Sequence, residues 1–243
     1  MRLLLTIAYD GGPYAGWQSQ AAGHAVQDLV EGAFRRIAPG RVAVHGAGRT
    51  DAGVHALGQC AHADVPSAMS PGNWQRALNA NLPPSIRVVG LREVPQEFHA
   101  RFSAKGKVYR YLIRNKIVLP PHEFGRVWHL PQALDLGTLR LAASIFTGRH
   151  DFAAFSANRG KAVLDTARTV RRIALSSRSG LVKVTFEGDG FLYKMVRMLT
   201  AAMVRVARRR EDLDALRGRL EQGAPKWNHV APAEGLYLVR VLY

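Results

Sequence analysis

Val42-Ala43-Val44-His45-Gly46-Ala47-Gly48-Arg49-Thr50-Asp51-Ala52-Gly53-Val54-His55-Ala56 reads as an apolar strand, Val42 to His45, running into a glycine-rich turn. Gly46, Gly48 and Gly53 admit backbone angles that other residues avoid, so the turn can present Asp51 and Arg49 at close quarters to something large. Taken alone, an aspartate in such a turn is most often an Asx-turn former. The string also half-matches a dinucleotide fingerprint, because a strand precedes Gly46-x-Gly48. The sixth position is Asp51 where glycine is required, and no amphipathic helix follows; Leu57 to Val65 alternates as a further strand. The pattern therefore argues against a nicotinamide enzyme. Neither a Gly-x-x-x-x-Gly-Lys phosphate loop nor a Gly-x-Ser-x-Gly elbow occurs.

Working outward, residues 3 to 9 form a buried strand, followed by the loop Asp10-Gly11-Gly12-Pro13-Tyr14-Ala15-Gly16-Trp17-Gln18. Val26, Leu29, Val30, Ala33, Phe34 and Ile37 recur at helical spacing until Pro39-Gly40. Ser70-Pro71 opens a helix that ends near Asn81, and Ile86 to Leu91 is a strand. The second half uses the same alphabet. Val108 to Arg114 is a strand, and Asp135 caps a helix carrying Leu136, Leu139, Ala143 and Phe146. Two strands near Val170 to Ser176 and Leu181 to Glu187 precede a long helix with Leu192, Met195, Val196, Leu199, Met203 and Val206. A short helix, Asp212 to Leu220, and a closing strand, Leu236 to Tyr243, complete the chain. The order predicts an α+β fold of two halves sharing a sheet: residues 1–103, with the Asp51 turn, and residues 104–243.

The 243 residues carry 34 Lys+Arg against 18 Asp+Glu, a net charge of +16. Such an excess points to a polyanionic partner, because neutralised phosphates release their condensed counterions. Cys60 is the single cysteine, which excludes a disulfide framework and a thiolate cluster. Asp10 cuts the apolar opening too short for a signal peptide, and no run reaches a membrane span, so a cytoplasmic protein is expected.

On the strand after Gly106, Tyr109 and Tyr111 share a sheet face with Lys107. Aromatics flanked by basic groups make a base-stacking platform, though core tyrosines give the same pattern. The run from Arg101 to Lys116 has six basic residues, Lys107 and Arg110 among them, and no acidic one. Lys194, Arg197, Arg205 and Arg208 form a basic stripe on the long helix, either solvated or against a phosphate backbone. His55, Cys60 and His62 lack the spacing of a zinc set, and Ser156, His150 and Asp151 form no recognisable triad. Two rivals remain for these residues: an inactive RNA-binding module, and a metal-dependent nuclease using Asp51, Asp64 and the histidines.

An ordered series of segments resembles the tRNA pseudouridine synthase I family, TruA, nearly end to end. They are Tyr9-Asp10-Gly11 with Gly16-Trp17-Gln18; Gly48 to Ala56; His99-Ala100-Arg101-Phe102-Ser103-Ala104; and Lys107-Val108-Tyr109-Arg110-Tyr111. His150-Asp151-Phe152, Met195-Val196-Arg197 and Ala231-Pro232-Ala233-Glu234-Gly235-Leu236 continue it. The chain departs from the family after Arg197, where Met198-Leu199-Thr200-Ala201-Ala202-Met203 replaces the usual glycines.

The resemblance implies two ferredoxin-like (RRM-like) halves around a continuous antiparallel sheet, with an active-site cleft between them. It implies isomerisation of uridine to pseudouridine at positions 38, 39 and 40 of the tRNA anticodon arm by a homodimer that uses no metal and no cofactor. By the same resemblance Asp51 is the catalytic carboxylate, Arg197 its partner, and Tyr109 the stacking and proton-transferring residue. Arg49 would hold the flipped nucleotide and its phosphate and Leu236 would line the pocket; the basic run, apart from the resemblance, adds Lys107 and Arg110 as substrate contacts.

Overall fold

The computed structural model describes residues 1–21, 23–66, 69–157 and 165–243. In chain order the elements are β1 (Arg2–Tyr9), α1 (Val26–Ile37), β2 (His45–Gly46), β3 (His55–Asp64), α2 (Pro71–Asn81) and β4 (Ile86–Val94). They continue with β5 (Gly106–Arg114), β6 (Trp128–His129), α3 (Leu136–Ile145), β7 (Gly148–Asp151), β8 (Ala167–Arg178) and β9 (Leu181–Gly188). The last are α4 (Met195–Ala207), α5 (Leu213–Gln222) and β10 (Leu236–Leu242). The fold class is α+β. Two compact units form: Met1–Lys105 with Tyr237–Tyr243, and Gly106–Leu236.

In the first unit the strands run in the order β4-β1-β3, with β2 against β3, and these pairings are all antiparallel. With α1 after β1 and α2 after β3, this is the split β-α-β arrangement of a ferredoxin-like fold. Its helices follow from the sequence. Val26, Val30, Ala33 and Phe34 form the buried stripe of α1, and the Asp28 carboxylate accepts the Ala25 N–H at 3.0 Å. Ser70 caps α2 through the Asn73 N–H, with Pro71 at the first helical position, and Trp74 and Leu78 face inward. Each such large side chain contributes about 1.5–3 kcal/mol by leaving water.

An antiparallel sheet was the expectation, and most pairings are antiparallel, but two run the other way. Tyr237 and Leu238 of β10 pair in parallel with His55 and Ala56 of β3, and β6 runs parallel to β5. The pairing is therefore mixed. In the second unit the order is β5-β9-β8-β7. Asp135 caps α3 by accepting the Gly137 and Thr138 N–H groups, and α3 packs on α4.

Two local expectations change. Val42 and Val44 are buried, but residues 42–44 are not a strand, because side chains of α1 take the backbone groups of Val44. Val44 N–H donates to Glu31 Oε1 at 3.1 Å, and Val44 C=O accepts from Gln27 Nε2 at 3.1 Å. The long helix begins at Met195, three residues after Leu192, because Lys194 takes a left-handed conformation with φ 59°. Most of α4 is buried, so its arginines do not form a solvated stripe. Arg205 lies over the Trp227 ring, 5.9 Å from its centroid. The Thr200 hydroxyl donates to Val196 C=O at 2.8 Å.

Candidate active site

The turn around Asp51 is held from three sides within the first unit. From β3, Gln59 Nε2 donates to Gly48 C=O at 2.8 Å, and Ala47 N–H donates to Cys60 C=O at 2.7 Å. From the loop after β1, Trp17 N–H donates to Thr50 C=O at 3.1 Å. From β1, the Tyr9 hydroxyl shares a buried 2.8 Å hydrogen bond with Thr50 Oγ1. A turn follows, closed by Val54 N–H on Asp51 C=O at 3.1 Å, and it leaves Asp51 half-buried. Backbone and buried side chains thus fix the carboxylate's origin, which is what preorganised chemistry requires.

The glycines of the first loop make this contact possible. Gly16 has φ +89°, and a Cβ there would stand 2.4 Å from Thr50 O and 2.9 Å from Asp51 C. A Cβ on Gly11 would meet Val54 O at 2.0 Å. Backbone therefore lies directly on backbone, and no side chain fits between loop and turn. His55, just after the turn, accepts the Gly11 N–H on Nδ1 at 3.0 Å, and its ring stacks on Tyr237 at 4.6 Å.

Arg49 is exposed beside the turn, its Nε donating to Gln18 Oε1 at 3.0 Å. Sequence reasoning quoted Gln18 but gave it no role. It missed Gln27 and Glu31 altogether, although two polar residues four apart inside an apolar helical stripe are a readable signal. Asp64 is occupied elsewhere, its two oxygens accepting from Arg2 Nε and Nη2 at 2.9 and 2.8 Å. His62 accepts the Ala100 N–H on Nδ1 at 3.1 Å. Burial pushes the Cys60 thiol pKa up, which disfavours the metal-binding thiolate. Among the described residues no group of three His, Cys, Asp or Glu is placed to hold a metal ion.

The second unit gathers the other expected residues. Tyr109 sits on β5 with 8% of its surface exposed, its ring meeting Phe191 edge-to-face at 5.3 Å. Phe191 was missed; the Gly188-Asp189-Gly190 segment before it is the one signal, since a Cβ on Gly188 would stand 3.1 Å from the Phe191 ring. Tyr111 is not a second stacking surface. It is fully buried, donates its hydroxyl to Pro232 C=O at 2.6 Å, and burial pushes its pKa well above the usual phenol value. Strand alternation places Lys107 with Tyr109 and sends Arg110 to the opposite face. Arg114, the fifth basic residue of the run, pairs with Glu123 and is buried.

Arg197 lies in the first turn of α4 and grips the segment before β10. Its Nε donates to Ala231 C=O at 2.8 Å, and Ala231 N–H donates back to Arg197 C=O at 3.2 Å. Gly235 lies against Tyr111, where a Cβ would stand 2.6 Å from the ring, and Leu236 follows, buried. Tyr111, Arg197 and the 231–236 segment therefore form one bonded group.

The family model described as tRNA pseudouridine synthase matches residues 5–103 and 142–243. A protein of Akkermansia muciniphila named tRNA pseudouridine synthase A is 44% identical over all of this chain and 95% of its own length. Proteins of the same name from Methylacidiphilum infernorum and Acetivibrio thermocellus are 42% and 40% identical over 98% of this chain, and over 94% and 98% of their own. With a match on both sides of the chain and identities of this size along its length, the chain belongs to the tRNA pseudouridine synthase family.

Proposed function

We propose that this protein isomerises uridine to pseudouridine in the anticodon arm of tRNA, at positions 38 to 40, with Asp51 as the catalytic carboxylate. The observation that carries the reading is the Asp51 turn, locked by Trp17, Tyr9 and Gln59 in a member of this family. The net charge of +16 supports a polyanionic substrate.

The reaction breaks the N1–C1′ bond, turns the base and forms C5–C1′; C5 loses its proton and N1 gains one, so nothing is oxidised and no water is consumed. The target must leave the stack to expose these atoms. Asp51 acts beside the sugar, as nucleophile or as stabiliser of the developing cation. Arg197 keeps the carboxylate ionised and aimed, since a guanidinium favours the charged form. Tyr109 stacks on the freed base and takes the C5 proton, with Phe191 holding its ring edge-on. Arg49, Lys107 and Arg110 take phosphates, and Leu236 shapes the apolar side of the pocket. The residues supply all the charges this chemistry needs without a metal or cofactor, and the active species is a homodimer.

The test is tritium release from tRNA transcripts labelled at uridine C5, with wild type and Asp51→Ala compared in the presence of a chelator. Release by the wild type alone is expected. Transcripts lacking uridine at positions 38 to 40 give none; release from them overturns the assigned positions. Equal release by Asp51→Ala overturns the role of Asp51.

A further inference from the structure

A chain of hydrogen bonds runs from the interior of the first unit to Arg49. Glu31 is buried, 8% exposed, and its Oε1 accepts from Val44 N–H at 3.1 Å and from Gln27 Nε2 at 3.0 Å. Gln27 Oε1 accepts from Ser19 N–H at 3.0 Å and from Gln18 Nε2 at 2.8 Å. Gln18 Oε1 then accepts from Arg49 Nε.

Each amide has only one permitted orientation. The Gln27 end facing Glu31 Oε1 and Val44 C=O meets acceptors only, so it is the NH2. Its other end meets the Ser19 N–H, a donor only, so it is the oxygen. That oxygen requires the NH2 of Gln18, which leaves the Gln18 oxygen facing a guanidinium that can only donate. The buried carboxylate thus sets the polarity of both glutamines, and bonds linked in this way polarise one another. Among the described residues Arg49 Nη1 and Nη2 make no hydrogen bond, so the fork is held by Nε and left open.

We propose that Gln18 and Gln27, oriented by Glu31, are positioning residues that hold the Arg49 fork for a substrate phosphate. The inference rests on the reading of Arg49 as a phosphate contact. Its physical content is preorganisation: an exposed arginine otherwise loses several free rotations on binding, and Nε tethering removes part of that cost beforehand. Gln27 and Glu31 also close the backbone at Val44, so Gln18 is the link that can be cut with least effect on folding.

The experiment compares Gln18→Met, Arg49→Met and the double variant, with melting temperatures as controls. Arg49 Hε is followed by 15N-arginine NMR, its signal assigned by its loss in Arg49→Met, and tritium release from tRNA gives kcat and KM. In Gln18→Met the Hε signal loses its exchange protection. KM for tRNA rises about three- to tenfold, the size of one net hydrogen bond, while kcat at saturating tRNA is retained. In the Arg49→Met background Gln18→Met adds nothing. Gln27→Met reproduces the Hε change if the relay extends beyond Gln18. An unchanged Hε signal in Gln18→Met overturns the relay, and effects that multiply in the double variant show a merely structural Gln18. If the Hε signal responds but Arg49→Met has wild-type kcat and KM, the bonds stand and the phosphate role of Arg49 fails, taking the positioning claim with it.

Discussion

Acidification should destabilise this protein through His62. His62 lies on β3 with 3% of its surface exposed. Its ring stacks on His45 at 4.9 Å and meets His99 edge-on at 4.6 Å. Burial lowers its pKa from 6.5 to about 4; His99, His45 and Arg2 push the same way, and Asp64 opposes them. The geometry agrees, because Nδ1 accepts the Ala100 N–H and protonating it would set two N–H groups against each other. The unfolded chain binds this proton first, so the stabilisation is complete above pH 6.5 and is lost as pH falls towards 4. Linkage over those two values gives a loss of about 2 kcal/mol between pH 7.5 and pH 5. Urea unfolding of wild type and His62→Gln at both pH values measures it. The variant starts less stable, lacking the ring contacts, but its stability should fall by about 2 kcal/mol less on acidification. Parallel losses in the two proteins would show that His62 is protonated in the folded state and refute the reasoning.

Three further outcomes are expected. Tyr109→Phe keeps the ring against Phe191 but lacks the hydroxyl, so tRNA affinity should persist while kcat falls about 10²-fold or more; near-normal turnover removes the hydroxyl from proton transfer. Lys107→Glu should weaken tRNA binding and lower its salt dependence by about one phosphate contact, with affinity at physiological salt as the check. Gly16→Ala places a methyl against Thr50 O at positive φ, so it should cost about 1–3 kcal/mol in urea unfolding and displace Asp51, lowering kcat more than tRNA affinity.

Much of this is legible in the sequence. The stripe of α1, the Ser70-Pro71 and Asp135 starts of α2 and α3, and the alternation of β5 follow from local rules, and the structure contains them. The misreadings share a cause. Val42 to Val44 has strand composition, but its backbone partners come from side chains on a helix, which composition does not encode. Leu192 fits the α4 periodicity, yet the left-handed Lys194 breaks the backbone between them. Tyr109 and Tyr111 are equivalent in pattern. They differ because Pro232 and Gly235, over a hundred residues later, enclose only Tyr111. The side-chain relay to Arg49 was invisible for the same reason, since Glu31 reads as one more surface acid until its neighbours are known.

The parallel pairing of β10 with β3 also sets an order of events during synthesis. Tyr237, which stacks on His55 beside the Asp51 turn, is made only after all of Gly106–Leu236. At ribosomal speeds the first unit waits on the order of ten seconds for its last strand, while the second unit's internal sheet is already available. During that interval the start of β3, at His55 and Ala56, lacks its β10 partner and stays open to chaperones and to other nascent chains. A chain released early keeps every residue of the Asp51 turn and lacks the ring that packs beside it. Packing of Tyr237 beside the Asp51 turn therefore waits on synthesis of the whole of Gly106–Leu236.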